Sequence, residues 1–244
     1  MSDVRIEASS EWSLPGLLQV ALWRWSLLAS PGRQAALWDT LSKDEQVGAE
    51  RFHFPRDRRR YVVGRGTLRA RLAAYLGCPA AAVALSCNEF GKPALQDPHW
   101  HARLSFNLSH SEELAVLAIA GGAPVGVDIE RIRPIDGDIA LHSFATEELA
   151  LLDALPKDAY AAGVLACWTR REAYVKAVGA GPSHPPGSFA VSVHPALPAR
   201  LLRIDGDPAE IAHWTLAALC VAPGYAAAIA VRQPDCTFAW HAAT

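Results

Sequence analysis

The stretch Trp168-Thr-Arg-Arg-Glu-Ala-Tyr-Val-Lys-Ala-Val-Gly179 decides how this chain is read. Glu172 and Lys176 stand four apart, so on an α-helix they share one face, with Arg171 beside them. Trp168, Ala173, Val175 and Val178 make the surroundings apolar, and Gly179 is the residue type on which helices commonly end. Laid over the first half at an offset of 102, Thr169, Arg171 and Gly179 fall on Thr67, Arg69 and Gly77. The helix predicted there runs through Arg56–Leu76 and stops at Gly77, with Pro79 just beyond. Three matched residues fit chance as well as duplication. Duplication would give an α+β protein of two similar halves, residues 1–122 and 123–244, related by a pseudo-twofold axis and meeting near Gly121–Gly126. Pockets favour such junctions, so a site is expected in the cleft between the halves.

Working outward, Leu18–Leu28 reads as a first strand, Ser30–Gly32 as a break, and helical patterns run from about Gln34 to Leu76. Ser42 stands three residues before Glu45, the spacing of a capping box, and Phe144–Glu148 opens a helix in the same way. Leu104–Leu108 and Leu114–Ala120 read as strands around a polar loop, Ser109–Glu113. Gly121-Gly122 is a turn and Val125–Ile129 a short apolar strand. Further strands are expected at Phe189–Val193, Trp214–Val221 and Tyr225–Val231, the last two joined through Ala222-Pro-Gly224.

A chain of 244 residues can bury an adequate core without staples, as one large domain or two small ones. A net charge of −2 argues against a dedicated nucleic-acid binder. The five cysteines are scattered and include no C-x-x-C pair, which reads as reduced, mostly buried thiols rather than a disulfide or zinc framework. The segment Met1–Trp12 has no apolar core of a secretory signal, and no run of about 18 apolar residues suits a membrane span. A soluble, cytoplasmic protein is expected.

Asp128-Ile-Glu130 follows the apolar run Pro124–Val127, and residues two apart on a strand point to one side. Carboxylates that close repel unless water or a cation separates them, so the tripeptide fits a solvated strand end or a metal site. Glu172 and Lys176 likewise fit a surface ion pair worth a few tenths of a kcal/mol. Taken together, Asp128, Glu130 and Glu172 offer oxygen ligands suited to Mg²⁺, which also takes phosphate oxygens. Lys176 and Arg171 add positive charge, and the set fits phosphoryl or pyrophosphate chemistry. No G-x-x-x-x-G-K-[ST] loop occurs, and Gly64-Arg-Gly66 is a helix-interior pair. His99-x-His101 sits in a proline-flanked loop with no cysteine nearby. Arg51, Arg56, Arg58, Arg59, Arg60 and Arg65 cluster around Phe52–Tyr61, as a solvated face or an anion site. Asn88-Glu-Phe-Gly-Lys92-Pro is a turn presenting one lysine, and Ser109-His-Ser111 offers donors suited to phosphate.

Four motifs, Gly91-Lys-Pro93, Asn107-Leu-Ser-His-Ser111, Gly126-Val-Asp-Ile-Glu130 and Trp168–Lys176, stand in an order and spacing that resemble the monomeric, two-lobed 4′-phosphopantetheinyl transferases of the surfactin-synthetase-activating type. The resemblance spans about Leu41 to Val193. It implies coenzyme A in the cleft, its adenosine end on the N-terminal half, with magnesium and catalytic residues on the C-terminal half. Asp128, Glu130 and Glu172 would hold Mg²⁺ against the pyrophosphate, with Lys176 and Arg171 on its oxygens. Lys92, Ser109 and His110 would hold the adenosine end and its 3′-phosphate, with Arg51 and one of Arg58–Arg60, Arg59 foremost, as further contacts.

The resemblance implies attack by a serine of an apo acyl or peptidyl carrier protein on the phosphorus bearing the pantetheine arm, with 3′,5′-ADP leaving. Glu172, or a water it orients, would take the serine proton, and Lys176 would offset developing charge. Glu45 and Gly48 stand where family members often carry lysines, and Arg171 stands for a usual lysine. The proline-rich loop Gly181–Pro186 also departs from the family and bears on carrier preference. The alternative is a coenzyme A-binding regulatory module without transfer activity, which predicts loss of a metal carboxylate or of Lys176; neither is lost.

Overall fold

Strand alternation sorts the apolar side chains of this protein into three stacked layers. The computed structural model describes residues 15–16, 18–133, 141–181, 184–185 and 187–241. The Met1–Trp12 segment, and Pro182, Ser183 and Pro186 of the proline-rich loop, lie outside them.

The first part of the chain runs β1 (Gln19–Ser26), α1 (Pro31–Trp38), α2 (Lys43–Glu50), α3 (Pro55–Leu76), β2 (Leu85–Cys87), β3 (Pro93–Leu95), α4 (Pro98–Arg103), β4 (Ser105–Ser111) and β5 (Leu114–Ala120). The second runs β6 (Val125–Arg131), α5 (Thr146–Asp153), α6 (Lys157–Val178), β7 (Phe189–Val191), β8 (Leu201–Ile204), β9 (Thr215–Ala218), β10 (Tyr225–Val231) and β11 (Thr237–Trp240). One sheet has the order β11-β1-β5-β4, the other β6-β10-β9, and β2-β3 and β7-β8 form separate hairpins.

Ala21, Trp23 and Trp25 of β1 join Ala115, Leu117 and Ile119 of β5 in a core with Val63, Leu68 and Leu72 of α3. The alternate residues, Val20 and Leu22 with Val116 and Ala118, meet Val127 and Ile129 of β6 and Ile229 of β10 between the two sheets. Ala228 and Ala230 turn the other way, toward Val164, Cys167, Ala173 and Tyr174 of α6. Period-two alternation thus gives helices, sheet, sheet, helices.

Helices α3 and α6 each have 22 residues and end on a left-handed glycine, Gly77 (φ 64°) and Gly179 (φ 80°). A buried arginine on each reaches a glutamate in the first turn of the preceding short helix: Arg69 to Glu45 at 2.9 Å, and Arg171 to Glu148 at 2.7 Å. Each glutamate also accepts from its helix's N-cap amide, at Ser42 and Ala145.

Several sequence expectations need correction. The Ser30–Gly32 break is the start of α1: Ser30 Oγ accepts from the Arg33 amide, and Pro31 has its fixed φ where a helix begins. Ser109–Ser111 is strand, because β4 pairs with β5 as far as Ser111↔Leu114, leaving a tight turn at Glu112 (φ 50°) and Glu113. His99 and His101 lie on α4, capped by Asp97, not in a loop. The expected strands Phe189–Val193 and Trp214–Val221 shorten to β7 and β9, while β8 and β11 are additional. Of the five thiols only Cys167 is buried; Cys87 and Cys220 are exposed, and all five are free.

Helix α6 packs on β6 and β10 with no side chain between its backbone and Gly126. A Cβ at Gly126 would fall well inside contact distance of the Ala173 carbonyl oxygen and the Ala177 amide nitrogen. Both are backbone atoms, so neither can swing aside. Gly126→Ala should therefore cost at least about 2 kcal/mol, beyond any gain from lower chain entropy, read as a fall in the urea unfolding midpoint.

Candidate active site

Strands β4 and β6 run side by side at the edges of the two sheets, yet β6's hydrogen-bonded ladder partner is β10, not β4. Side chains bridge the seam instead. Asn107, Ser109 and Ser111, alternate residues of β4, all point toward β6. Asn107 Oδ1 accepts from the Val127 amide at 2.9 Å, Ser109 Oγ donates to Asp128 Oδ1 at 2.9 Å, and Ser111 Oγ donates to Glu130 at 2.9 Å. Ser111 also accepts from the Arg131 amide.

Into this seam α6 lowers Lys176. Its ammonium donates to Asp128 Oδ1 at 2.5 Å and to Ser109 Oγ at 3.1 Å. Asp128 is only 4% exposed, and its second oxygen, Oδ2, is buried with no hydrogen-bond partner. Burial raises the Asp128 carboxyl above its ordinary range, while the Lys176 ammonium and the Ser109 hydroxyl pull it down. Glu130 and Glu172 are also raised, by burial first; the Asp128 charge adds to the rise in both. The three carboxylates thus feel one another electrostatically. Among the described residues, however, no three His, Cys, Asp or Glu side chains are gathered into a ready-made metal cage.

A cavity of about 590 Å³ opens beside this cluster. Glu172 and Lys176 form part of its wall, with Asn107 of β4, Phe90 of the β2–β3 turn, and Trp168 and Phe189. Most of the lining is apolar, with charged groups from α6 and Lys92 of the β2–β3 turn among it.

Residues 26–121 match the family model described as 4′-phosphopantetheinyl transferase, N-terminal. Residues 124–230 match that of the 4′-phosphopantetheinyl transferase superfamily. The chain belongs to this superfamily. A relative from Nostoc sp. strain PCC 7120, 4′-phosphopantetheinyl transferase HetI, is 36% identical over 215 residues, covering 87% of each chain. The psf-1 transferase of Bacillus pumilus is 32% identical over 80% of each chain. The Sfp transferase of Bacillus subtilis strain 168 is 29% identical over 80% of this chain and 84% of its own.

In this transferase the residues singled out from sequence do not all converge. Asp128, Ser109 and Lys176 are in direct contact, and Glu130 and Glu172 flank them. His110, the exposed residue between the two serines, has its imidazole lowered by partial desolvation and then by the charges of Lys176 and Arg60. Arg171 is turned away from Asp128: Nη1 serves Glu148 and the Phe189 carbonyl, and its guanidinium lies 4.2 Å from the Phe189 ring centre. Lys92 borders the cavity, but its ammonium donates to the carbonyls of Val125, Lys176 and Ala177, and burial lowers it to about 8.

The arginine cluster is largely paired within the transferase. Arg59 and Arg60 share Glu113, Arg60 also meets Glu112, Arg65 meets Glu45, and Arg58 lies over Trp38. Arg51 is an exposed C-cap residue of α2. No helix among the described residues is long and apolar enough to cross a membrane.

Sequence reading gave Asn107 and Glu148 no role in the site and assigned Ser111 to phosphate; the structure has Asn107 and Ser111 bridging the seam between β4 and β6. Glu148 is fully buried and satisfied by Arg171 Nη1, the Ala145 amide and the Val191 amide; its signal was the repetition of the Glu45 capping position. Glu148→Ala strands a buried guanidinium and should cost about 3–5 kcal/mol in urea unfolding. Glu147→Ala, next to it but in a half-exposed pair with Arg203, should cost less than about 1 kcal/mol.

Proposed function

We propose that this transferase moves the 4′-phosphopantetheine arm of coenzyme A to a serine of an apo carrier protein of a fatty-acid, polyketide or nonribosomal-peptide synthase, releasing 3′,5′-ADP. The observation that carries the site assignment is the buried, unpartnered Oδ2 of Asp128. A buried acceptor without a donor costs about 1–3 kcal/mol, and a cation is the natural partner for a carboxylate oxygen whose other oxygen already holds an ammonium. Asp128, Glu130 and Glu172 would hold Mg²⁺. When bound, that ion supplies positive charge for the pyrophosphate oxygens of coenzyme A.

The chain's own residues do the rest. Lys176 is free to trade Asp128 for a phosphate oxygen, where its charge offsets what accumulates as the phosphorus–oxygen bond to 3′,5′-ADP breaks. The bond that forms runs from the carrier serine Oγ to the phosphorus bearing the pantetheine arm. The serine proton passes to Glu172, or to a water held by it. Ser109 steadies Asp128, and His110 stands beside the same charges for the adenosine end, with Arg51 and Arg59 as more distant cationic groups. Arg171 Nη1, held by Glu148 and the Phe189 carbonyl, argues for a role in holding α6 rather than in touching phosphate.

The same reading makes the chain a monomer of two fused halves, 1–122 and 123–244, with the cleft between them. Three features support it: the matching strand orders β1-β5-β4 and β6-β10-β9, the paired 22-residue helices, and the repeated Glu–Arg bond. The cavity wall also draws on both parts, from Phe90–Pro93 and Asn107 as well as Ser143–Phe189.

Incubation with coenzyme A, Mg²⁺ and apo carrier proteins should add one phosphopantetheine mass to the carrier. Asp128→Ala and Glu172→Ala should lower that transfer by at least about 100-fold with cooperative unfolding retained, and chelation of divalent cations should abolish it reversibly. A folded Asp128→Ala variant of near-parental activity would remove the metal assignment; coenzyme A binding without any carrier mass gain would remove the transfer reading.

A further inference from the structure

The turn between β2 and β3 closes onto the C-terminal end of α6. Asn88 organises it: Oδ1 accepts from the amides of Phe90 and Lys92, Gly91 takes φ 81°, and Nδ2 donates to the Gly179 carbonyl at 2.9 Å. Lys92 then extends under the helix. Its Nζ donates to the Lys176 carbonyl at 2.5 Å, the Val125 carbonyl at 3.2 Å and the Ala177 carbonyl at 3.3 Å. An ammonium has three protons, so this one is fully used by the protein. Two of the carbonyls belong to the last turn of α6, where a cation complements the helix dipole.

These partners are not scattered. Val125 precedes Gly126, the residue on which α6 rests, and a Cβ at Gly126 would collide with the backbone of Lys176 and Ala177. Lys92 therefore ties strand and helix together at their closest approach, one residue from Gly126 and two from Val127, whose amide Asn107 fixes. The backbone carbonyl it holds belongs to Lys176 itself, whose side chain meets Asp128.

We infer that Lys92 is a positioning residue, not a ligand of the coenzyme A phosphates: it clamps the end of α6 to β6 and so sets where the Lys176 ammonium stands relative to Asp128. The inference rests on the proposed reading of Asp128 and Lys176 as the reaction centre. To reach a phosphate, Lys92 would have to abandon three carbonyls and leave the end of α6 without its cation.

The test uses the full-length protein, titrated calorimetrically with coenzyme A and with 3′-dephospho-coenzyme A, alongside steady-state loading of an apo carrier. Lys92→Met should bind coenzyme A within about threefold of the parent and keep the parent's preference over the dephospho form. Its kcat should fall about 100-fold, as expected when a charged group is displaced by about an ångström. Lys92→Arg retains donors for the carbonyls and should recover part of kcat at parental affinity. Amide exchange at Lys176–Gly179 should quicken in Lys92→Met alone.

A loss of tenfold or more in coenzyme A affinity, with dephospho-coenzyme A unchanged, would make Lys92 a phosphate ligand and overturn the inference, as would parental kcat and affinity together. Should Lys92→Met lose cooperative melting, Lys92→Arg decides on the same two titrations. Should the parent load no carrier, the transfer reading falls, while the affinity comparison still decides what Lys92 holds.

Discussion

Backbone contact between α6 and β6 at Gly126 governs the height at which every side chain of that helix meets the sheet. A helix held off by a side chain can slide or roll by the play in that side chain's rotamers. One seated on bare strand backbone has no such freedom. From this single seat, Lys176 descends onto Asp128, Arg171 is directed to Glu148, and Val164, Cys167, Ala173 and Tyr174 fill the core against β10. The fully buried Glu148–Arg171 pair then fixes the helix on its far side, through amides at Ala145 and Val191 as well as the ion pair.

The seam between β4 and β6 is the complementary feature. Two strand edges this close would ordinarily complete a ladder, and an unpaired edge is costly or sticky. Here the amides of Val127 and Arg131 are satisfied by side-chain oxygens of Asn107 and Ser111. Spacing the strands by a side chain rather than by a backbone hydrogen bond makes room for carboxylates. Asp128 and Glu130 occupy that room, each with one oxygen held by a serine. Polar groups that would be ruinous in an ordinary core are thus anchored on one side and left able to accept on the other.

Much of this was legible in the residues. The capping box at Ser42 and Glu45, the glycines ending α3 and α6, and the two carboxylates of β6 all follow from local spacing, and local spacing is what a sequence displays. Ser109–Ser111 misled because polarity ordinarily marks solvent, whereas these side chains answer polar groups on another strand. Lys92 and Arg171 show a different limit. Their charge is visible in the sequence, but whether a cation meets a phosphate, a carboxylate or the end of a helix depends on partners as many as 85 residues away. Strand β11 had no local signal either: four residues long, it exists because β1 offers it an edge.

That last strand has a mechanical meaning. The chain passes from one sheet to the other between β5 and β6, and returns when β11 lies parallel beside β1, at the edge opposite β4. The two sheets are consequently laced at both ends, by covalent chain on one side and by a backbone ladder on the other. A body tied twice cannot gape like a hinge. The cavity beside Glu172 lies in this doubly joined body, with Phe90 of the β2–β3 turn in its wall.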